Sequence, residues 1–360
     1  MDTDRIASAR VMVVGCGALG NEVLKNLVLM GVERFWIVDF DKVERHNLSR
    51  SVLFRLNDVQ SGRYKAEVAA ERLREYNPSV EAVPLVCDFC HGVGLGLIMD
   101  MDVLISCVDN RWTRYIINRK CMRAGKMWVD GGIYGLEGTA RVFGYGRNCY
   151  ACSLAPQSRE QLRQRFSCAT AIRRAEQNGS AFTTAIAASV TGAVQAQEAL
   201  KILSPALGDG ETSLAGKMFY YEGEKMSGRL VRFSAYDEDC PEHERWTPEE
   251  GRTYRIHASA SGQLGGATLR LRDFAFVDRV EDKVSGEIFR PMLPDYRVEE
   301  YIKGNPRTSA RLMSDFYQHS LTELDSGFPY PELDFRALGY AERDVVEIME
   351  EGRIKYIKLI

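Results

Sequence analysis

From Arg10 to Asp130, short apolar runs alternate with stretches whose apolar residues recur every three or four positions. That is the pattern of strands alternating with amphipathic helices. The runs Val11 to Val14, Phe35 to Asp39, Val80 to Val86, Val103 to Ser106 and Met127 to Asp130 predict strands, each with an apolar centre and a polar or glycine exit. Between them the spacing predicts helices over about Leu19 to Met30, Gly62 to Tyr76 and Arg111 to Ala124. The second is closed by Asn77-Pro78, which cannot continue a helix. Such alternation builds an α/β fold, a parallel sheet with helices on both faces.

The texture changes after Asp130. Glycine-rich, hairpin-like strands run to about Gly146, and a polar, Arg-rich stretch from Gln157 to Asn178 reads as an exposed loop within residues 157–180. A long helix from Phe182 to Leu203 follows, with small residues on one side suited to close packing, and then two strand-like runs, Lys217 to Tyr221 and Arg229 to Phe233. Beyond Trp246 the pattern is β-rich with one or two helices. The alternation in Thr268-Leu269-Arg270-Leu271-Arg272 is that of a half-buried strand, and a hairpin is expected from Val345 to Glu350 and Ile354 to Leu359 around Glu351-Gly352-Arg353. The chain therefore divides into a large domain, residues 1–245, and a small α+β, β-rich C-terminal domain, residues 246–360.

Composition narrows the function classes. With 45% hydrophobic residues, 27% charged residues and a net charge of −3, nothing recommends a nucleic-acid or membrane-surface partner. No apolar run is long enough to span a membrane, because Gly94 to Val108 is interrupted by Asp100 and Asp102. The acidic start, Met1-Asp2-Thr3-Asp4, argues against a secretory signal. Nine cysteines, an odd number scattered through an α/β pattern, point to a reducing cytoplasm with thiols kept for metal or chemistry.

The candidate chemistry begins at Gly15-Cys16-Gly17-Ala18-Leu19-Gly20, directly after the first strand. Three glycines at that spacing fit a strand-to-helix turn where backbone approaches phosphate closely and a helix N-terminus faces the anion. Asp39 lies 19 residues after Gly20, a distance at which an acid ending the second strand can bind a ribose hydroxyl. Alone, this cradle does not separate a dinucleotide from ATP. The other strand exits do: Asp39-Phe40-Asp41, Asn47-Leu48-Ser49-Arg50, Lys65 on the next helix, and Ser106-Cys107-Val108-Asp109-Asn110. Hydride transfer needs an apolar slot there, whereas an arginine fork, a lysine point charge and an aspartate able to hold Mg²⁺ suit a triphosphate.

Together, Gly15-x-Gly17-x-x-Gly20, Asp39-x-Asp41, Asn47-x-x-Arg50, Lys65-Ala66-Glu67 and Cys107-Val108-Asp109-Asn110 resemble the ubiquitin-activating-enzyme-like superfamily, which includes the ThiF-type adenylyltransferases. The layout is nearest to the small single-chain activators of a ubiquitin-fold modifier, and it covers roughly residues 5 to 243. The resemblance implies a Rossmann-like adenylation domain in which Asp39 binds the ATP ribose, Asn47, Arg50 and Lys65 the phosphates, and Asp109 the Mg²⁺, with Asp41 and Asn110 in the same motifs. It implies adenylation of the C-terminal glycine carboxylate of a ubiquitin-like protein, a two-fold homodimer, and often capture of the acyl group on a cysteine thiolate. Cys168, ahead of the helix that ends at Leu203, is the matching cysteine, and Arg165, Arg173 and Arg174 nearby favour its thiolate. Similar enzymes also hold a structural Zn²⁺ with two cysteine pairs. Here the set is Cys149-x-x-Cys152 with Cys240-x-x-His243, four ligands for a closed tetrahedral site. Ser51 departs from the glutamine usual after the arginine, and only nine residues, with Arg5 among them, precede the first strand.

Competing readings frame these expectations. Asp109 has the bland alternative of capping the helix that begins near Arg111. Cys87-x-x-Cys90 reads as packing, Gly92-x-Gly94-x-Gly96 as a loop and helix start, and Cys16, Cys107 and Cys121 as small buried fillers. For the whole chain, the alternatives to a thioester-forming activator are an adenylyltransferase for a sulfur carrier or small substrate, and a silent scaffold. The C-terminal domain is placed to recruit the modifier or a conjugating enzyme.

Overall fold

A computed structural model describes residues 2–144, 146, 148–155, 157–158, 183–204, 207, 214, 216–232 and 236–360. Cys168, with most of the Arg-rich stretch expected as a loop, lies outside these residues. The chain forms two compact units that divide after Trp246. No helix among the described residues is long and apolar enough to cross a membrane.

The first unit opens with helix α1 (Thr3–Ser8), strand β1 (Arg10–Val14), α2 (Ala18–Leu29) and β2 (Arg34–Val38). Then come α3 (Leu56–Gln60), α4 (Lys65–Tyr76), β3 (Glu81–Leu85), α5 (Phe89–Gly92), α6 (Leu95–Met99) and β4 (Val103–Ser106). It continues with α7 (Arg111–Ala124), β5 (Trp128–Tyr134), β6 (Glu137–Phe143), α8 (Ala185–Leu203), β7 (Lys217–Glu222) and β8 (Ser227–Arg232). The strands form one sheet in the order β3-β2-β1-β4-β5-β6-β7-β8. Pairing is parallel from β3 to β5 and antiparallel from β5 to β8. This is the expected Rossmann-like α/β sheet, extended by an antiparallel edge.

The chain leaves β1 for β2 on one side and returns to β4 on the other, so the strand order reverses around β1. In open α/β sheets ligands bind outside the carboxyl ends of strands at such a reversal. Register makes the reversal sharp. Val14 pairs with Val38 and with Ser106, so Gly15, Asp39 and Cys107 leave the sheet side by side.

Two predicted helices start later than the pattern suggested, each for a visible reason. Gly62 adopts a left-handed φ of 61°, Tyr64 bridges to Lys42, and the Lys65 N–H donates to Asp41 O at 2.8 Å. The segment 62–64 is thus paired with the loop after β2, and α4 begins at Lys65. At α8, Thr183 bridges to Gly135, and the Thr184 hydroxyl accepts from the Ala187 N–H and caps the helix at Ala185.

The small-residue side of α8 packs as expected, against α2, β5 and β6. A Cβ on Gly192 would lie 2.7 Å from the Glu22 Cβ, and one on Gly138 would overlap the Thr191 hydroxyl. Val13, Leu24, Phe35, Ile105, Val129, Ala196 and Leu200 are among the buried residues of this core.

The second unit holds a sheet ordered β15-β10-β16-β17-β9, made of β9 (Thr253–Tyr254), β10 (Thr268–Arg270), β15 (Glu323–Leu324), β16 (Val345–Glu350) and β17 (Arg353–Leu359). In a smaller sheet, β11 (Phe276–Asp282) pairs with β12 (Ile288–Phe289), β13 (Leu293–Pro294) and β14 (Phe316–Leu321). Among the described residues beyond Trp246 there are three helices, Ala260–Leu264, Asp295–Gly304 and Phe335–Leu338, rather than the one or two expected. The final hairpin turns on Glu351 and Gly352, both with positive φ, so Arg353 already belongs to β17.

The close approach of α8 to α2 gives a test. Gly192→Val should destabilise the protein by about 1–3 kcal/mol, because the inserted methyl groups meet Glu22. A lowered urea midpoint is expected, and an unchanged midpoint would mean that the two helices part at little cost.

Candidate active site

The glycine turn is shaped by contact on both sides. Gly15 has φ 90°, and a Cβ there would lie 2.7 Å from the Cys107 carbonyl oxygen. A Cβ on Gly20 would overlap the Gly15 carbonyl oxygen, so the helix can sit this close to the turn only without a side chain. Gly17 differs: a Cβ there would meet nothing within 4 Å. Gly17 is the N-cap of α2 and supplies no side-chain cap, so its Cβ position is open and no cap from it competes for the first-turn N–H groups. The cradle is therefore tight where it meets protein and open where a phosphate would approach.

Asp39 braces this turn. Its Oδ2 accepts the Cys16 N–H at 2.7 Å and its Oδ1 accepts the Asp41 N–H at 2.8 Å. Burial pushes its carboxyl above the ordinary range, against the pull of Lys65 and of these two N–H groups. The Lys65 side chain, 11% exposed, places Nζ 2.8 Å from Asp41 Oδ2. Burial alone would lower the Lys65 ammonium, but Asp39 and Asp41 hold it above its ordinary value. Asp41 itself is exposed.

Asn47 and Arg50 sit on a short 3₁₀ turn, Arg45–Ser49. Asn47 is buried, with Oδ1 accepting the Glu44 N–H at 2.8 Å and Nδ2 3.1 Å from His46 Nε2, so its amide closes its own turn. Arg50 follows, donating its N–H to Asn47 O at 3.1 Å and Nη1 to His46 O at 3.1 Å.

Asp109 leaves the rim two residues after Cys107, whose carbonyl abuts Gly15. It is exposed. The helix-cap alternative for it does not hold, because the cap of α7 is Asn110, whose Oδ1 accepts the Thr113 N–H at 2.7 Å. The Asp109 carboxylate is left to face solvent at the sheet's open end, where a hard cation takes oxygen ligands.

Cys149, Cys152, Cys240 and His243 come together, with all donor atoms within 4.8 Å of one another. Cys149 Sγ lies 3.5 Å from Cys152 Sγ and 3.8 Å from Cys240 Sγ, and His243 Nε2 lies 3.3 Å from Cys152 Sγ. Hydrogen bonds from Cys149 and Cys240 hold the Cys152 thiol far below its ordinary value. The His243 ring stacks on Tyr236 at 4.6 Å, which presents Nε2 to the thiols. Three buried sulfurs and the nitrogen of a half-buried imidazole at this spacing fit a tetrahedral Zn²⁺. Cys87 and Cys90 are not part of this cluster.

Two features escape a reading of residues alone. Asn21 is fully buried; its Nδ2 donates to Cys16 O and Gly17 O, both at 2.9 Å, and its Oδ1 accepts the Leu53 N–H at 2.8 Å. It ties the glycine turn to the segment just after Arg50. The only sequence signal is a polar residue on an otherwise apolar helix face. Asp130, also fully buried, pairs with Arg114 and Arg141. It stands at the polar exit predicted for its strand, but β5 runs on to Tyr134 and Asp130 lies within it.

Comparison with known proteins adds the lineage. Residues 1–242 match the ThiF family. The chain belongs to that family. This bears out the resemblance to ubiquitin-activating-enzyme-like proteins. The adenylyltransferase and sulfurtransferase MOCS3 of Bos taurus is 32% identical over 270 residues, 74% of this chain and 55% of that protein. The SAMP-activating enzyme E1 of Haloferax volcanii is 33% identical over 237 residues, 66% of this chain and 81% of that protein. E. coli MccB, in its crystal structure with succinimide, shares the ThiF fold with a TM-score of 0.54 at 20% identity, covering 67% of each chain. This ThiF chain spans about half the length of the mammalian MOCS3 proteins it matches.

The metal cluster predicts a measurable dependence. Stripping zinc with a chelator, or Cys240→Ser, should lower the melting temperature by about 4–8 °C, the shift that ~2 kcal/mol produces in a unit of this size. Metal analysis of the purified protein should find about one zinc per chain. An unchanged melting curve after chelation would remove the structural role.

Proposed function

We propose that this ThiF-family chain activates the C-terminal carboxylate of a ubiquitin-like protein by adenylation and then takes the acyl group onto Cys168. The observation that carries this reading is the convergence of three strand exits: an open helix N-terminus at Gly17, the Asp39–Asp41–Lys65 group, and the Asp109 loop. That set offers an anion site, a cation and a free carboxylate at one rim, as a triphosphate with its magnesium requires. A nicotinamide would need an apolar slot at the same place.

In this reading the N–H groups of α2 and the Arg50 guanidinium bind phosphate oxygens, and Asp39 orients the ribose. Lys65 exchanges its partner Asp41 for a phosphate oxygen. Asp109 would hold the Mg²⁺, whose chemistry is to neutralise charge on the phosphates. An oxygen of the substrate carboxylate attacks the α-phosphorus, its bond to pyrophosphate breaks, and an acyl adenylate remains. The Cys168 sulfur then attacks the carbonyl carbon and AMP leaves, forming a thioester. The SAMP-activating enzyme E1 of Haloferax volcanii supports a small protein as substrate.

A second reading stops at the adenylate and delivers it to a sulfur donor. The similarity to MOCS3, an adenylyltransferase and sulfurtransferase, favours it.

Pyrophosphate exchange into ATP, run with small proteins ending in glycine, tests the common step. Arg50→Ala, Lys65→Ala and Asp109→Asn should each slow it by roughly 10²- to 10³-fold, the usual effect of removing one transition-state charge partner. Full exchange in Asp109→Asn would remove its metal role. A protein adduct that is cleaved by reducing agent and lost in Cys168→Ala, with exchange intact, supports the thioester. Exchange without any adduct favours the second reading.

A further inference from the structure

Beneath the Asp109 loop lies a buried group of charges that the reaction above does not use. Asp130, in β5, has no exposed surface. Its Oδ1 accepts Arg114 Nε at 2.9 Å and its Oδ2 accepts Arg141 Nη2 at 2.6 Å. Arg114 stands in the first turn of α7, and its Nη2 also donates to Val108 O at 2.6 Å and to Gly131 O at 2.9 Å. The guanidinium thus ties β5 to the residue that precedes Asp109. The space it fills is kept by glycine, since a Cβ on Gly132 would come 3.3 Å from Arg114 Nη2.

The far side of the group is anchored as well. The Arg141 guanidinium lies 5.5 Å from the ring centres of both Phe143 and Tyr150. Tyr150 sits between the metal-cluster residues Cys149 and Cys152, and its N–H donates to Asn118 Oδ1 of α7 at 2.8 Å. Asp130 is therefore held between two arginines that are themselves fixed.

Buried ion pairs are poor investments for stability alone, since well-packed apolar residues of similar volume do as well or better. What the group supplies here is position. A planar guanidinium with three fixed acceptors sets the carbonyl of Val108 to within a hydrogen bond, and Asp109 is the next residue.

We propose that Arg114 and Asp130 are positioning residues that hold Asp109 where its carboxylate meets the magnesium of bound ATP. This rests on the reading that Asp109 is the magnesium ligand. Residues that orient metal ligands without touching the metal commonly change metal affinity by about 10–100-fold when altered. The same scale is expected here.

The test uses the full chain and a fluorescent ATP analogue, titrated with Mg²⁺, so no protein substrate is needed. Arg114→Lys keeps the charge, but one ammonium cannot reach all three acceptors. It should raise the half-saturating Mg²⁺ about tenfold while leaving Mg²⁺-free nucleotide affinity and melting temperature near wild type. Hydrogen exchange at the Cys107 and Thr113 amides, which donate to Val14 O and Asn110 Oδ1 on either side of Val108 and Asp109, should quicken in parallel. Asp130→Asn should act in the same direction, and if it fails to fold, Arg114→Lys decides alone. Asp109→Asn serves as the reference. If it leaves the Mg²⁺ dependence intact, the magnesium reading itself fails. If it abolishes the dependence while Arg114→Lys matches wild type in Mg²⁺ titration and exchange, the positioning role is wrong. Equal losses with and without Mg²⁺ in Arg114→Lys would mark the group as merely structural and also overturn the proposal.

Discussion

One carboxylate holds the rim together. Asp39 receives the Cys16 N–H of the glycine turn on one oxygen and the Asp41 N–H on the other. Through the first bond, the end of β2 fixes the turn that follows β1. Through the second, it sets Asp41, whose carbonyl takes the Lys65 N–H and whose carboxylate takes the Lys65 ammonium. Three segments far apart in sequence thereby share one frame. Each carboxylate oxygen has two acceptor sites, so Asp39 keeps capacity for a ribose hydroxyl after bracing the protein.

The same frame explains why the cations can wait without ligand. A largely buried ammonium left unpaired would be costly, and Asp41 supplies its counter-charge. Because Asp41 is exposed, that partner can give way to a phosphate at modest cost. The open N-terminus of α2 needs no such partner. Gly17 offers the first-turn N–H groups no side-chain cap that a phosphate would have to displace. Tight packing at Gly15 and Gly20 and openness at Gly17 are two sides of one design.

Much of this was legible from residues because local patterns carried it. The strands around β1 announced themselves as apolar runs with polar exits, and the glycine spacing marked the turn. What sequence missed depended on contacts between segments. Nothing local shows that Tyr64 pairs with Lys42 and delays α4, because the partner lies across a loop. Asn110 and Asp109 are equally good caps by residue type, and only geometry shows that Asn110 takes the role. Asn21, Arg114 and Asp130 draw their meaning from hydrogen-bond partners on other elements and loops. The metal cluster was readable although Cys149 and Cys240 stand 91 positions apart, because paired spacing is a strong signal and the family resemblance supplied the second half. Cys168 stays a reading of sequence.

The most direct measurement of the central claim is a crystal structure of the full chain with a non-hydrolysable ATP analogue and Mg²⁺. The account predicts the triphosphate against the N-terminus of α2, the ribose on Asp39, Lys65 turned from Asp41 to a phosphate oxygen, and Asp109 on the metal. A triphosphate bound away from Gly17, or Lys65 still paired with Asp41 beside a fully bound nucleotide, would contradict it.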